Sequence, residues 1–152
     1  MKQLSLLFAC TLFSIVASAQ AGSLTVQNLT GCQVWFVIRG SAPGTCNIDL
    51  SSSIISLLPG NNVSYPTSAS IPGFPATTSG LTVAYSFDRP PSCFPPGANN
   101  YRVGEPCMAI GQSVIYPQYN SGCTMCDPDI RMQWTPASSP GGPAILRFLP
   151  FP

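Results

Sequence analysis

The stretch "LTVAYSF" (81–87) shows the pattern that decides the fold class of this chain. Large apolar residues alternate with smaller ones, and the large set is Leu81, Val83, Tyr85 and Phe87. Strict alternation over about four to eight residues is typical of a β-strand buried on one face. The segment runs into "DRPP" (88–91), where turn residues end the extended pattern.

Segments of the same kind recur along the chain. Each is short, rich in β-branched and aromatic residues, and bounded by turn formers, of which the chain has 13 Gly and 17 Pro. No stretch of about twelve residues has helical apolar spacing without Pro or Gly inside it. We therefore predict an all-β fold, an antiparallel β-sandwich of about seven to eight short strands with long Pro/Gly-rich loops, cross-linked by disulfides. The predicted strands are 23–28, 33–39, 53–58, 62–65, 81–87, 112–116, 130–134 and 144–149, and the longest predicted loop is 89–111.

The predicted strand "QVWFVIR" (33–39) has two unlike faces. One face carries Val34, Phe36 and Ile38. Trp35 lies on the opposite, more polar face, together with Gln33, Val37 and Arg39. The strand leads into "APGT" (42–45), which predicts a type II turn because proline presets its second position and glycine accepts a positive φ at its third.

Residues 1–19 have the three parts of a secretory signal peptide. Lys2 supplies the positive charge, 4–17 is an apolar run, and Ala17-Ser18-Ala19 is a small-x-small cleavage site. We predict cleavage after Ala19, which leaves a single β-sandwich domain at 20–152. A retained membrane anchor is the alternative, although a helix needs about 20 apolar residues to cross a bilayer.

Six of the seven cysteines lie outside the predicted signal peptide, since Cys10 belongs to it. A lipoprotein modified at Cys10 is a further alternative. An even number of cysteines in an exported chain predicts three disulfides, and about 15 connectivities are possible. The predicted disulfide cysteines are Cys32, Cys46, Cys93, Cys107, Cys123 and Cys126.

Charged residues are scarce, at 7% of the chain against roughly 25% in typical soluble domains. Lys2 is the only lysine, so removing the signal peptide leaves five arginines and five acidic residues, which sum to zero. Binding to nucleic acid requires clustered basic residues, which this chain lacks. We therefore expect no nucleic-acid partner, and a near-neutral surface does little to resist self-association.

Histidine is absent, which excludes Ser-His-Asp, Cys-His and HExxH sites. The loss of Lys2 excludes Schiff-base chemistry as well. Glycoside hydrolysis would need two carboxylates facing each other across a cleft, and calcium would need several oxygen ligands, for which Asp127 and Asp129 offer a weak start. We predict no catalytic residue, no cofactor and no metal. The acidic residues are Asp49, Asp88, Glu105, Asp127 and Asp129.

The motif Cys123-Thr124-Met125-Cys126 has three interpretations. Zinc would need two further cysteines, because no histidine is present. A redox dithiol belongs at a helix start in a βαβ unit, which this chain lacks. Structural disulfides need only an oxidising compartment, and we favour them.

Aromatic side chains are the remaining candidates for ligand contact. Flat rings stack on sugars, and Trp35, Tyr116 and Tyr119 would form such a patch. Ordinary packing inside the sandwich is the alternative. Two glycosylation triplets begin at Asn28 and Asn62, both at strand ends where a glycan would be tolerated.

The segments "SLTVQNLTGCQVWF" (23–36) and "LLPGNNVSY" (57–65) resemble the opening strands of thaumatin-like sandwiches. The resemblance covers about a third of the chain and lacks that family's larger cysteine set and acidic cleft, so it implies a β fold and no activity. "NLTGCQVWF" (28–36), with "PGTC" (43–46) and the late CxxC motif, also resembles short secreted bacterial proteins of unknown function. That resemblance implies export.

We predict a secreted, non-enzymatic protein, extracellular or on the outer cell surface, with the periplasm as an alternative. Its expected role is a binding or matrix-associated module, with an extracellular glycan as the expected partner and no membrane span after signal removal. A self-assembling structural subunit is the first alternative, because the apolar end "RFLPFP" (147–152) would add to a neighbour's sheet edge. A carboxylate-based hydrolase is the second.

Overall fold

The computed structural model describes residues 20–76, 79–93 and 100–152, so the predicted signal peptide (1–19) lies outside the described residues. The described chain is all-β, as the sequence predicts. Its strands are β1 (Ser23–Asn28), β2 (Val34–Ser41), β3 (Leu50–Ser51), β4 (Ile55–Leu57), β5 (Asn62–Tyr65), β6 (Gly80–Phe87), β7 (Asn100–Gly104), β8 (Ser113–Tyr116), β9 (Asp129–Thr135) and β10 (Pro143–Phe151). Short 3-10 turns occur at Ser68–Ser70, Pro91–Cys93 and Pro106–Met108.

The strands form two sheets that pack as a sandwich. Sheet A has the order β3-β2-β6-β7, and β4 also pairs with β2. Sheet B has the order β5-β1-β10-β9-β8. Neighbouring strands are antiparallel except β1 and β10, which are parallel. The prediction of a sandwich is confirmed, and the expectation of purely antiparallel pairing is wrong for this one pair, which joins the first and last strands of the chain.

The core lies between the sheets and is filled from both. Strand β1 alternates half-buried and buried residues along its whole length, as does most of β9 and β10. The rings of Phe36 on β2 and Phe148 on β10 are 5.6 Å apart and join the two layers. Trp134 on β9 is 1% exposed and belongs to this core.

Strand β6 turns its largest side chains away from the core. Residues directly opposite each other on antiparallel strands share a face, and Ala84 pairs with Ile38, a core residue of β2. Ala84 therefore points inward, while Tyr85 and Phe87 point outward. The alternation in "LTVAYSF" separates the two faces of the strand correctly, but the bulkier face is not the one in the core.

The partner across the core explains this orientation. Tyr116 on β8 reaches across to β6, where its hydroxyl lies 2.6 Å from the Ser86 hydroxyl. A large residue in place of Ser86 would collide with this ring, so the small face of β6 fits inward. A register shift between Arg39 and Gly40 on β2 then lets Leu81 also enter the core.

The predicted loop at 89–111 contains a strand that sequence reasoning missed. Strand β7 pairs with β6 from Val83 opposite Gly104 to Phe87 opposite Asn100. Its sequence, "NYRVG", places the strand-favouring Tyr101 and Val103 between the turn-favouring Asn100 and Gly104, so the alternating pattern is too short to predict a strand. The two-residue strand β3 was missed for its shortness. The turn at 42–45 is confirmed: Gly44 has a φ of 80° and the Thr45 amide donates to the Ala42 carbonyl at 3.1 Å.

The C-terminal segment is an internal strand of sheet B. Phe148 is fully buried, Leu149 lies opposite Arg131, and Phe151 lies opposite Asp129. The expectation that residues 147–152 are free to join a neighbour's sheet is therefore wrong for 147–148, where β10 pairs with both β9 and β1. From Leu149 to Phe151, β10 pairs with β9 alone among the described strands.

Three disulfides hold the sandwich and confirm the predicted use of all six cysteines. They join Cys32 to Cys126, Cys46 to Cys107, and Cys93 to Cys123. The two cysteines of the CxxC motif thus hold different loops. Cys126 ties the β8–β9 loop to the segment that passes from sheet B into sheet A, and Cys123 ties it to the loop after β6.

Candidate functional site

The structure does not bring the three predicted ligand-contact rings together. Trp35 is 6% exposed and lies on the outer face of sheet A. Tyr116 is 1% exposed and lies in the core. Tyr119, in the loop after β8, is the partly exposed member of the set. The exposed aromatic patch predicted from these residues is therefore wrong for Trp35 and Tyr116.

Tyr116 packs as a structural residue. Its ring stacks on Tyr101 of β7 with centroids 4.5 Å apart. Burial raises the pKa of the Tyr116 hydroxyl well above its ordinary value, and the hydrogen bond with Ser86 offsets part of that rise. These contacts join β8 to the inner face of sheet A.

Tyr119 belongs to a charged contact at the end of β6. The Arg89 guanidinium lies 4.6 Å from the Tyr119 ring centroid and 3.3 Å from the carboxylate of Asp88. Asp88 is 2% exposed, so its charge is neutralised by Arg89 within the protein. The Tyr119 amide also donates to the Asp88 carbonyl. These contacts anchor the 117–126 loop against the end of sheet A.

A different group of side chains converges on the outer face of sheet A. Cross-strand pairing places Trp35 opposite Phe87, and Val37 opposite Tyr85. Arg39 lies opposite Val83 one step further along the same two strands. Because β-strand neighbours of this kind share one face, the five apolar residues and the arginine form one continuous surface. We call this surface, with Arg102 of β7 opposite Tyr85, the A face.

The A face is apolar although it points away from the core. Val83 is 0% exposed, Trp35 6% and Val37 8%, and none of the three belongs to the core cluster. They form a closely packed floor. Tyr85, Phe87 and Arg39 are partly exposed, and Arg102 is exposed. In a two-layer antiparallel sandwich, outward positions are ordinarily polar.

The A face carries positive charge. The Arg39 guanidinium lies 5.1 Å from the Tyr85 ring centroid, and its Nε is buried without a hydrogen-bond acceptor among the described residues. The exposed Arg102 lies on the other side of Tyr85. The residues paired with the edges of the face are uncharged: Ser51, Ser56, Asn100 and Gly104.

The two buried carboxyl groups lie at opposite ends of β6. Asp88 directly follows that strand, whereas the Glu105 amide donates to the Thr82 carbonyl near its beginning. Six residues of strand separate these points by about 20 Å. Glycoside hydrolysis needs a pair within about 10 Å, so these two carboxyl groups do not form one. The other acidic residues, Asp49, Asp127 and Asp129, are exposed.

Glu105 links the two sheets. Its carboxylate accepts a hydrogen bond from the Trp134 indole nitrogen at 3.2 Å. Burial raises the pKa of the Glu105 carboxyl above its ordinary value, and hydrogen bonds from Trp134 and the Ala137 backbone offset part of that rise. In the sequence, Glu105 precedes a proline, a pattern typical of a turn. The proline after it gave no sign that the carboxyl would be buried.

Cys126, the second cysteine of the CxxC motif, helps to line a cleft of about 230 Å³ together with Cys32 and Asp127. Sulfur atoms joined in disulfides offer no thiolate for zinc and no free dithiol, so the structural interpretation of the CxxC motif is confirmed. Within the described ranges, no group of three or more His, Cys, Asp or Glu residues is placed to hold a metal ion.

Asn28 is unsuited to carry a glycan. Its side chain is fully buried, and its amide donates to the carbonyls of Cys32 at 2.7 Å and Leu57 at 3.0 Å. The expectation that a glycan would be tolerated here is wrong, because a substituent would displace both hydrogen bonds. Asn62 is exposed, and its glycosylation stays a prediction.

Comparisons of the chain with protein-family models, curated proteins and solved structures find no match. The resemblance to thaumatin-like sandwiches therefore stays a prediction. Among the described residues, no helix is long and apolar enough to cross a membrane. Three disulfides fit a location outside the cytoplasm.

Proposed function

We propose that this protein is a secreted or cell-surface, non-enzymatic β-sandwich module that binds an extracellular ligand through the A face. The observation that carries the proposal is the orientation of β6, which directs Tyr85 and Phe87 away from the core. Packing against Tyr116 leaves these two rings on the outer side of sheet A, where both are partly exposed.

The composition of the A face suits binding. Trp35, Val37 and Val83 are already covered within the protein, so the apolar surface left for a ligand to remove from water is on the partly exposed rings, at about 25 cal/mol for each Å². The floor of Trp35, Val37 and Val83 is rigid because it is closely packed. A rigid floor beneath partly exposed rings lowers the entropy lost on binding.

A glycan array, together with pull-down on envelope polysaccharides, tests the proposal. The informative variant is Tyr85→Ser, and Ile115→Ser is its matched control, because Ile115 is a 43% exposed outward residue of sheet B. We expect binding by the wild type and by Ile115→Ser, and loss of at least about fivefold in affinity for Tyr85→Ser. Silence across all ligands, or equal loss in both variants, would refute the proposal.

Self-assembly is the second candidate, and one observation favours it. Among the described strands, β8 pairs only with β9, so it is an edge of sheet B, and it exposes Ile115. Sedimentation at rising protein concentration tests it, with Ile115→Lys expected to abolish any association. A monomer at all concentrations would eliminate this candidate.

A further inference from the structure

We propose that the ligand of the A face is an acidic polysaccharide, a chain of sugar rings that carry carboxylates. This inference rests on the proposed function, since it names the ligand class for the same face. It is drawn from the arrangement of two arginines around one tyrosine ring.

Charge selects the ligand's sign. Arg39 and Arg102 both lie on the A face, one on each side of Tyr85, and the edge positions paired with it hold no acidic residue. The whole of 20–152 sums to zero charge, so this positive surface is local rather than a property of the chain. A guanidinium pairs with a carboxylate through two parallel hydrogen bonds, which favours a carboxylate over a neutral ligand.

The unsatisfied Nε of Arg39 also favours a negatively charged ligand. Its Nε is a buried donor without an acceptor among the described residues, an arrangement that costs free energy. A negative charge bound near the Arg39 guanidinium offsets part of that cost electrostatically, without reaching the buried Nε itself. On the outer face of sheet B, by contrast, Arg147 already donates from Nε to Gln27 at 2.9 Å and from a terminal nitrogen to Thr135 at 3.3 Å.

The ring and its surroundings select a sugar chain. Tyr85 is partly exposed and offers a flat ring for stacking on a sugar, and hydroxyls of Ser51 and Ser56 flank the face on the β3–β4 side. The face crosses β2, β6 and β7 between these edges. Adjacent strands are about 4.8 Å apart, so the surface suits an extended chain better than a single small molecule.

Affinity measurements on residues 20–152 with three probes test the proposal. The probes are polygalacturonate, its fully methyl-esterified form, and polyglutamate, which has carboxylates but no sugar rings. We expect polygalacturonate to bind at least about tenfold more tightly than either of the others, and its binding to weaken with added salt.

Two variants of equal charge complete the test. Arg102→Gln removes a positive charge from the A face, and Arg131→Gln removes one from the outer face of sheet B, where Arg131 lies over Phe151 at 4.7 Å. We expect Arg102→Gln to weaken polygalacturonate binding at least about fivefold and Arg131→Gln to leave it within about twofold.

Four outcomes overturn the inference. Equal loss in both arginine variants, or equal binding of polyglutamate, indicates general attraction of polyanions. Equal binding of the methyl ester, lost in Tyr85→Ser, refutes the acidic ligand while upholding a sugar-binding A face. Self-association that Arg102→Gln abolishes assigns the A face to a second copy of this chain.

Discussion

The outer faces of the two sheets can be compared, because outward side chains on each of them include arginine residues. On sheet B, Arg147 is satisfied by Gln27 and Thr135, and the residues directly opposite it, Gln27 and Gln133, are polar. On sheet A, Arg39 lies among Val83, Val37 and Tyr85, and its Nε has no acceptor within the described ranges. The arginine on sheet B therefore has its hydrogen-bond partners within the protein, whereas Arg39 on sheet A has a buried nitrogen without one in the described ranges.

The difference teaches that burial alone does not mark the core of this protein. Val83 is as buried as any core residue, yet it lies on the far side of sheet A from the core cluster. Position relative to the two layers separates the roles of such residues. The following predictions break or sharpen the comparison between the faces.

The largest expected effect on stability comes from removing a disulfide. Replacing Cys32 and Cys126 with alanine removes a cross-link that spans 94 residues of sequence, whereas the matched pair Cys93 and Cys123 spans 30. Because longer loops gain more entropy when released, we expect the first variant to lose about 4 kcal/mol of unfolding free energy and the second about 1 kcal/mol less. Urea denaturation measures both, and a reversed order would contradict the entropic explanation.

The second largest expected effect is on the unfolding free energy, and it compares a buried residue of the A face with an outward residue of sheet B. Val83→Ala removes buried methyl groups, and we expect a loss of about 2 kcal/mol. The control Gln133→Ala changes a half-buried outward residue of β9 and should stay within about 0.5 kcal/mol. Thermal unfolding measures the two, and a neutral Val83→Ala would show that the A face is not packed.

The arginines themselves give a smaller effect. Arg147→Met removes two hydrogen bonds, so we expect a loss of about 1 kcal/mol. Arg39→Met keeps the apolar stem and removes an unsatisfied buried Nε, so its unfolding free energy should change by less than about 0.5 kcal/mol. Equal losses in denaturant unfolding would remove the distinction between the two faces.

The smallest expected effect is a pH dependence of stability caused by Glu105, whose hydrogen bond with Trp134 joins the two sheets. The raised pKa of Glu105 means that the folded protein binds this proton more tightly than the unfolded chain. The stabilisation is therefore full below the ordinary glutamate pKa and is lost as pH rises through the folded-state pKa. Glu105→Gln keeps an acceptor for Trp134 and removes the charge, so it should lack this decline.

Melting temperatures of both proteins at pH ~3.5 and pH ~8 check the effect. The wild type should lose more stability between the two conditions than Glu105→Gln does. Parallel changes in the two proteins would show that other carboxyl groups cause the dependence.

Strand positions were largely predictable, whereas the candidate site was not. Alternation located β1, β5 and β6 to within a residue, since it depends on neighbouring side chains alone. β7 was missed because "NYRVG" alternates over too few residues to indicate a strand, and its pairing with β6 holds it in the sheet. Trp35 was correctly placed on an outward face, but Tyr85 and Arg102 were not recognised, because only the pairing of β2, β6 and β7 brings them beside it.

The sequence by itself determined the all-β class, most strand positions, the turn at 42–45 and the use of six cysteines in disulfides. Each depends on local backbone preference or on the parity of the cysteines, both of which are written in the chain. Tertiary structure alone decided the disulfide partners, the internal place of β10, and which face of β6 looks inward. The physical reason is that alternation separates the two faces of a strand without showing which face enters the core. Tyr116 decides this for β6, because its ring fills the space above Ser86 and leaves the larger side chains of the strand to form the A face.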